Sequence, residues 1–267
     1  MLQEDRFARI QFLLSSLDRV RTEQLIQDMQ VSRETVRLDL LALESLGLVR
    51  RVHGGVARVA PQEPPFVQRQ QQRVSEKRAI ARAALKRLQL GQMVFVDAGT
   101  TTAILAQELC LLSNLVVVTN SITVALTLAS SQASAKSAIG AANGGVHGVR
   151  VILLGGDVHS ETQSTYGEVT LNEIRKYRAD VALLSPVGIS AAEGVTFYSP
   201  HEASIAAAMI GQSASLQILA DYSKIGACGR HVVATAAQTD ILLTNAHAAN
   251  EAALEGLRAA GVEVIAV

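Results

Sequence analysis

Cysteine is nearly missing from this 267-residue chain: only Cys110 and Cys228 occur, far apart and neither in a Cys-x-x-Cys pair. A disulfide framework is thereby excluded, and no His/Cys cluster has the spacing of a structural zinc site. Two isolated thiols suit a reducing compartment. Long apolar runs are missing too. No stretch of about 18 uncharged apolar residues reads as a membrane span, and no apolar run follows the opening Met1-Leu2-Gln3-Glu4-Asp5-Arg6 as a leader would require. The expectation is a cytoplasmic protein with no membrane contact, no metal and no cofactor.

Net charge is the third absence, since 24 basic and 24 acidic side chains cancel. The zero hides a gradient. Residues 1–60 carry 9 basic and 8 acidic groups, residues 61–90 carry 7 and 2, and residues 91–267 carry 8 and 14. A basic first third on a neutral chain suggests that a polyanion meets one end only. With 49% hydrophobic and 18% charged residues, the composition is that of a globular protein and excludes a disordered one. The length suits two domains or one large one.

Up to about residue 58 the apolar residues repeat at helical spacing: Phe7, Ile10, Leu14 and Leu17, then Leu25, Ile26 and Met29, then Val36, Leu40 and Leu43. Ser32 is a good N-cap for the third helix and Gly47 a good residue to end it. Leu48–Val52 is β-like and turns at His53-Gly54-Gly55 into a second β-like run, Val56–Val59. Residues 1–58 therefore read as three short helices and a hairpin, and Pro61, Pro64 and Pro65 as an extended exit. Residues 59–90 read as a linker and a basic connecting helix, with Ile80, Ala84 and Leu88 at helical spacing.

After Gly91 short apolar runs alternate with helical stretches: 93–96, 115–118, 151–154, 181–184, 216–220, 241–243 and 264–267. Nearly continuous apolar runs of this length are strands buried on both faces, and the helices between them imply parallel crossovers. Residues 91–267 are expected to form an α/β domain with a mainly parallel sheet. Residues 130–149, rich in Ala, Ser and Gly, read as a surface loop, and His147, His159, His231 and His247 as surface residues.

Two places carry chemistry. A helix, a turn and a second helix capped by Ser32 is the geometry that puts a recognition helix in a DNA major groove. Ser32, Arg33, Thr35 and Arg37 crowd its first turns, and Arg50, Arg51 and His53 sit where a wing would track the backbone. Arginine can bond guanine bidentately, and a helix start can hold a phosphate. Asp39 reads as a buried partner for an arginine. The bland alternative is a three-helix interaction module with solvated arginines.

The second place is the carboxyl edge of the sheet, where open parallel sheets bind ligands. There Asp97-Ala98-Gly99-Thr100-Thr101-Thr102 runs from strand to helix, with a glycine for close approach and a helix start for an anion. Thr119-Asn120-Ser121, Gly155-Gly156-Asp157 and Asp221-Tyr222-Ser223-Lys224 end other strands on the same edge. Each cluster alone could be turn chemistry; four together favour a site.

The residues Arg6, Ile10, Leu14, Ser32, Thr35, Val36, Arg37, Asp39 and Leu40, with Leu46–Val49 and His53-Gly54-Gly55, resemble the amino-terminal signature of the DeoR family of bacterial transcriptional regulators. Leu38 departs from it, standing where the family usually has a basic or small polar residue. From Glu76-Lys77 onward the chain resembles that family's sensor domain, which is similar in fold to ribose-5-phosphate isomerase and glucosamine-6-phosphate deaminase.

The resemblance implies a winged helix-turn-helix that binds operator DNA and a sensor for a phosphorylated sugar or polyol. Within it, Asp97–Thr102 would hold the phosphate, Asn120, Gly155 and Gly156 would line the pocket, and Asp221 and Lys224 would add polar and charged groups. His201 and Glu202 would face the same cleft. The isomerases carry Asp-Gly-Ala-Asp where this chain reads Ser185-Pro186-Val187-Gly188, and a basic residue on the family's following helix is replaced near Ala206 and Ala207. Lacking the carboxylate base at that strand end, the chain is expected to bind without turnover.

The expected function is thus a ligand-controlled repressor of carbohydrate or polyol genes, acting as a homodimer or homotetramer because one winged helix reads only a few base pairs. The competing expectation is a sugar-phosphate isomerase or deaminase with an accessory module, using Asp97, Glu202 or Asp221 as base.

Overall fold

A computed structural model of the chain describes residues 2–17, 19–46, 48–58, 64–138 and 148–267. It divides into two compact units, Met1–Gln62 and Glu63–Val267. In the first, α1 (Gln3–Ser16), β1 (Arg19–Arg21), α2 (Thr22–Met29) and α3 (Arg33–Ser45) precede the hairpin β2 (Val49–Val52) and β3 (Gly55–Arg58). The three strands form an antiparallel sheet in the order β1-β3-β2.

The helical spacing places Ile10, Leu14, Leu25, Val36, Leu40 and Leu43 in one buried cluster with Val20, Val49 and Val56. Arg6 donates two hydrogen bonds to Asp39, at 2.5 and 3.0 Å, and Asp39 is buried. That carboxylate fastens α1 to α3 from inside, as its position in the sequence anticipates. Gly47, Val59 and Pro61 lie outside the described residues.

The second unit opens with α4 (Phe66–Gln71) and α5 (Val74–Leu85). The single connecting helix expected here is two helices, because Arg73 takes a left-handed conformation (φ 51°) and breaks the ladder between them. Nor is α5 a free connector. Its Ile80, Ala81 and Ala84 join Val94, Val96 and Leu105 in the core on one face of the sheet.

The chain continues through β4 (Met93–Val96), α6 (Thr100–Leu109), β5 (Leu115–Thr119), α7 (Ile122–Ala138), β6 (Val149–Leu153), β7 (Asp157–His159), β8 (Ser164–Tyr166), α8 (Glu168–Ile174) and β9 (Ala179–Leu184). There follow β10 (Gly188–Ser190), β11 (Gly194–Phe197), α9 (Pro200–Gly211), β12 (Ser213–Leu219), β13 (His231–Ala234), β14 (Ile241–Thr244), α10 (Glu251–Ala259) and β15 (Glu263–Ala266).

Seven strands form one sheet in the order β15-β14-β12-β9-β4-β5-β6, every neighbouring pair parallel. All seven apolar runs of the sequence fall in it, and helices cover both faces, as parallel crossovers require. The loop expected from residue 130 is corrected: α7 runs to Ala138 before residues 139–147, including His147, pass outside the described residues. Alanine favours helix, and the serines of this stretch do not break it. An antiparallel sheet β10-β11-β13 and a hairpin β7-β8 stand at the carboxyl edge of the main sheet's strands. Among the described residues, no helix is long and apolar enough to cross a membrane.

Candidate functional site

In the first unit the candidate nucleic-acid interface is the start of α3 and the hairpin. Ser32 caps the helix by accepting the Thr35 amide at 3.0 Å, and its hydroxyl lies 2.8 Å from that of Thr35. Arg33 pairs with Glu23 at 2.8 Å and Arg37 with Glu34 at 2.7 Å, all four side chains well exposed. The Glu34 carboxylate is held below its ordinary range, first by hydrogen bonds from Arg37 and then by that residue's charge. Arg50, Arg51 and His53 are exposed on the hairpin, and Glu44 accepts the Arg51 amide. Leu38 is exposed on α3 as well.

In the second unit a pocket of about 410 Å³, its open mouth included, lies at the carboxyl ends of β4, β5 and β9. Asp97, Gly99, Asn120 and Glu202 line it together with Arg69, Ser185, Val187, Phe197, Ile205 and Ala206. The volume is in the range of small-molecule sites. Polar groups from the strand ends share the lining with Phe197 of β11 and with Glu202, Ile205 and Ala206 of α9.

Asp97 is buried beneath this pocket. Its carboxylate accepts the Ser185 amide at 2.8 Å and the Thr102 hydroxyl at 2.9 Å. Burial pushes its pKa up to about 6, while those hydrogen bonds, the Gly99 amide and the charge of Lys224 pull the other way. Gly99 is required here for space: a Cβ would stand 2.4 Å from the Ser185 Cβ. The turn thus brings β4 and the Ser185 strand end closer together than any side chain would allow.

Thr102 spends its hydroxyl on this turn, receiving the Gly99 amide at 2.8 Å. Thr100 and Thr101 are buried at the start of α6, whose first amides lack acceptors within the helix. Asn120 donates to the Thr165 carbonyl at 3.0 Å, but its Oδ1 is buried with no hydrogen-bond partner among the described residues. Such an acceptor is costly unless something donates to it.

Gly155 and Gly156 do not line the pocket. They pack against α8, where the Thr170 hydroxyl donates to the Gly155 carbonyl and a Cβ on Gly156 would stand 2.0 Å from the Thr170 Oγ1. His201 is exposed at the start of α9 with its ring 4.6 Å from Tyr166, and Glu202 enters the pocket behind it. Asp221 is buried and caps the 3-10 turn Tyr222–Lys224, accepting from Ser223, with Arg73 Nε at 3.6 Å. His247 is exposed and stacks on Tyr222 at 4.5 Å.

Three cations of the basic segment also reach this edge. Arg69 forms part of the pocket wall, and Arg73 lies over the Tyr222 ring at 5.4 Å. Lys77 is buried and donates to the Arg69 carbonyl at 2.5 Å. Burial pulls its pKa down to about 8, against the attraction of Asp221. The charge surplus of residues 61–90 is the sequence signal for these residues, which belong to the second unit rather than to a connector alone. Among the described residues, no group of three or more His, Cys, Asp and Glu side chains could hold a metal ion.

Known proteins match both units. A family model described as the DeoR C terminal sensor domain matches residues 72–246, and one described as a DeoR-like helix-turn-helix domain matches residues 6–62. The chain is 31% identical over 269 residues to the HTH-type transcriptional repressor GlcR of Bacillus subtilis (strain 168), covering 99% of this chain and 96% of that one. It is 30% identical over 247 residues to the Glycerol-3-phosphate regulon repressor of Escherichia coli (strain K12), covering 92% of each. A solved ribose 5-phosphate isomerase A from Methanocaldococcus jannaschii aligns over 55% of this chain and 52% of its own, at a TM-score of 0.38 and 13% identity.

Proposed function

The chain belongs to the DeoR family of transcriptional regulators, and from that premise we propose that it represses carbohydrate or polyol genes under the control of a phosphorylated sugar or polyol. Residues 1–58 bind the operator, residues 59–90 join the parts, and residues 91–267 with Arg69 hold the effector. Ser32, Arg33, Thr35 and Arg37 enter the major groove, while Arg50, Arg51 and His53 follow the flanking phosphates. A homodimer or homotetramer presents two such surfaces to one operator.

The observation that carries the effector reading is the pocket wall itself. It combines one guanidinium, a helix start, two carboxylates and an orphaned amide oxygen. A ligand with one anionic end and several hydroxyls fits that set. The anion goes to Arg69 and the first amides of α6, and the hydroxyls donate to Asp97, Glu202 and Asn120 Oδ1. Asp97 is then a hydroxyl acceptor, because a carboxylate would repel the phosphate.

A thermal-melt screen against phosphorylated sugars and polyols, their unphosphorylated parents and inorganic phosphate tests this. Ligand at about a hundredfold its Kd adds about 2.7 kcal/mol, enough to raise the melting midpoint by several degrees. The expected result is a rise with a phosphorylated compound and none with its parent. No rise with any member of the panel overturns the ligand class.

One observation favours the enzyme reading: Asp97 is a carboxylate in the lining of the pocket, where a base must lie to reach a bound substrate. Interconversion of ketose and aldose phosphates by the wild type, abolished in Asp97→Asn, would establish turnover.

A further inference from the structure

Arg69 stands at a junction. Its helix, α4, begins immediately after Pro64-Pro65 and so carries the chain from the linker into the second unit. The helix is anchored at both ends. Phe66 is buried at its start, and the buried Lys77 ammonium holds the Arg69 carbonyl near its end. The Arg69 side chain folds back toward the linker, with Nε donating to the Pro64 carbonyl at 2.9 Å and the guanidinium over the Phe66 ring at 5.4 Å. The same residue lines the pocket together with Asp97, Asn120 and Glu202.

We propose that Arg69 both binds the effector's anionic group and reports its presence to the linker, because the guanidinium that meets the anion is the one that holds the Pro64 carbonyl. This rests on the effector pocket proposed above and adds how its occupation leaves the pocket.

The chemistry is a competition for one planar group. A guanidinium binds a phosphate most strongly through a two-donor fork, and the fork that includes Nε is the one engaged with Pro64. An anion that takes this edge replaces a neutral acceptor by a charged one and withdraws the donor from Pro64. The backbone at Pro64 is then released, while α4 stays seated by Phe66 and Lys77. Occupation of the pocket thereby changes the constraint on the chain that leads to the DNA-binding unit. Asn120 Oδ1, a buried acceptor without a donor among the described residues, supplies the independent sign that the cavity is built around a ligand.

The test compares the wild type with Arg69→Gln and Arg69→Lys in the full chain, using glycerol and hexose monophosphates as probes and a duplex selected by the wild type from random DNA as operator. Probe binding is read by thermal shift, operator binding by fluorescence anisotropy, and folding by far-UV circular dichroism. Probe affinity should fall at least about tenfold in Arg69→Gln, by loss of a charge-assisted contact. Without any probe, Arg69→Gln should bind operator as the saturated wild type does, and added probe should leave that affinity unchanged. Arg69→Lys keeps the charge but not the fork, so it should recover part of the probe affinity while responding less than the wild type.

An Arg69→Gln protein that binds the probe and changes operator affinity by the wild-type ratio overturns the role of Arg69 and leaves the pocket standing. If no probe affects the wild type, the ligand class fails on its own. Arg69 is then judged by the probe-free comparison, where equal operator affinities of wild type and Arg69→Gln overturn it.

Discussion

The two units handle polar groups in opposite ways. On α3 the candidate contacts are exposed: the side chains of Arg33 and Arg37 are 76% and 49% accessible and pair with exposed glutamates. At the sheet edge Asp97 and Asp221 are buried and accept from backbone amides and hydroxyls, and the buried Asn120 donates to the Thr165 carbonyl. An exposed ion pair contributes little and is easily exchanged for a phosphate. A buried carboxylate is fixed by its surroundings and can be matched only by a ligand that fits. The difference suits a macromolecular partner at one unit and a small molecule at the other. It also means that mutations should separate: at α3 they alter binding and spare stability, and at the sheet edge they alter both.

The largest expected effect breaks the comparison if it fails. Replacing both Arg33 and Arg37 by Ala should weaken operator binding by about tenfold to a hundredfold per residue, while the melting midpoint stays within about a degree because both ion pairs are exposed. Anisotropy titrations at several salt concentrations check this, and the dependence on salt should become shallower as phosphate contacts are lost. Operator binding like the wild type would remove α3 from the interface. A drop of many degrees would show that these arginines serve the fold.

The next effect sharpens the burial half of the comparison. Asp97 has a pKa raised to about 6 by burial, against about 3.9 for an unfolded carboxyl. Between those values the folded chain binds more protons than the unfolded one. This group's contribution therefore makes stability fall as pH rises from about 4 to about 6, and go flat above. The full difference is at most about 3 kcal/mol. Asp97→Asn removes it, so the midpoint of the wild type measured against that of Asp97→Asn should decline across this window. A difference that is constant from pH 4 to 7 would mean that the hydrogen bonds from Ser185, Thr102 and Gly99 offset the cost of burial in full, and the raised pKa would be lost.

The sequence was most legible where structure is repetitive. The inner strands of the parallel sheet are largely buried and write themselves as apolar runs, and the edge strands β6 and β15, only partly buried, keep enough apolar residues that the seven runs near 93, 115, 151, 181, 216, 241 and 264 all fall in the sheet. The capping serine of α3 and the Arg6–Asp39 tie are likewise local or chemically obvious. Short antiparallel strands are not. β1 buries only Val20 among its three residues, β10 has only three residues, and β11 pairs with β13 more than thirty residues further on. At the site, turn residues of the strand ends were visible as clusters, but composition does not tell a lining residue from a packing one. Gly99 and Gly156 look alike in the sequence, yet only Gly99 lines the cavity. Arg69 was hidden for a different reason: its place in the pocket depends on how α4 folds back on the sheet edge, a contact that no local pattern encodes.

Adding one methyl group gives the smallest and sharpest comparison of the two units. Gly99 has an ordinary extended backbone (φ −97°), so an alanine there meets only a steric barrier, the Ser185 side chain at 2.4 Å. Gly54, in the turn between β2 and β3, has nothing within 4 Å of a new Cβ but a φ of +78°, so an alanine there meets only backbone strain. Overpacking costs about 1–3 kcal/mol and a left-handed alanine about 1–2 kcal/mol, so the two variants should lose similar stability. Their binding should diverge. Gly99→Ala pushes the Ser185 strand end away from β4 and spoils the acceptor geometry at Asp97, so it should lose the thermal shift with the probe while keeping operator affinity within a few-fold. Gly54→Ala reshapes the hairpin that carries Arg50, Arg51 and His53, and should weaken operator binding while keeping the probe shift. Equal losses of both activities in both variants would mean that these sites are not separable, and the division of labour between the units would have to be abandoned.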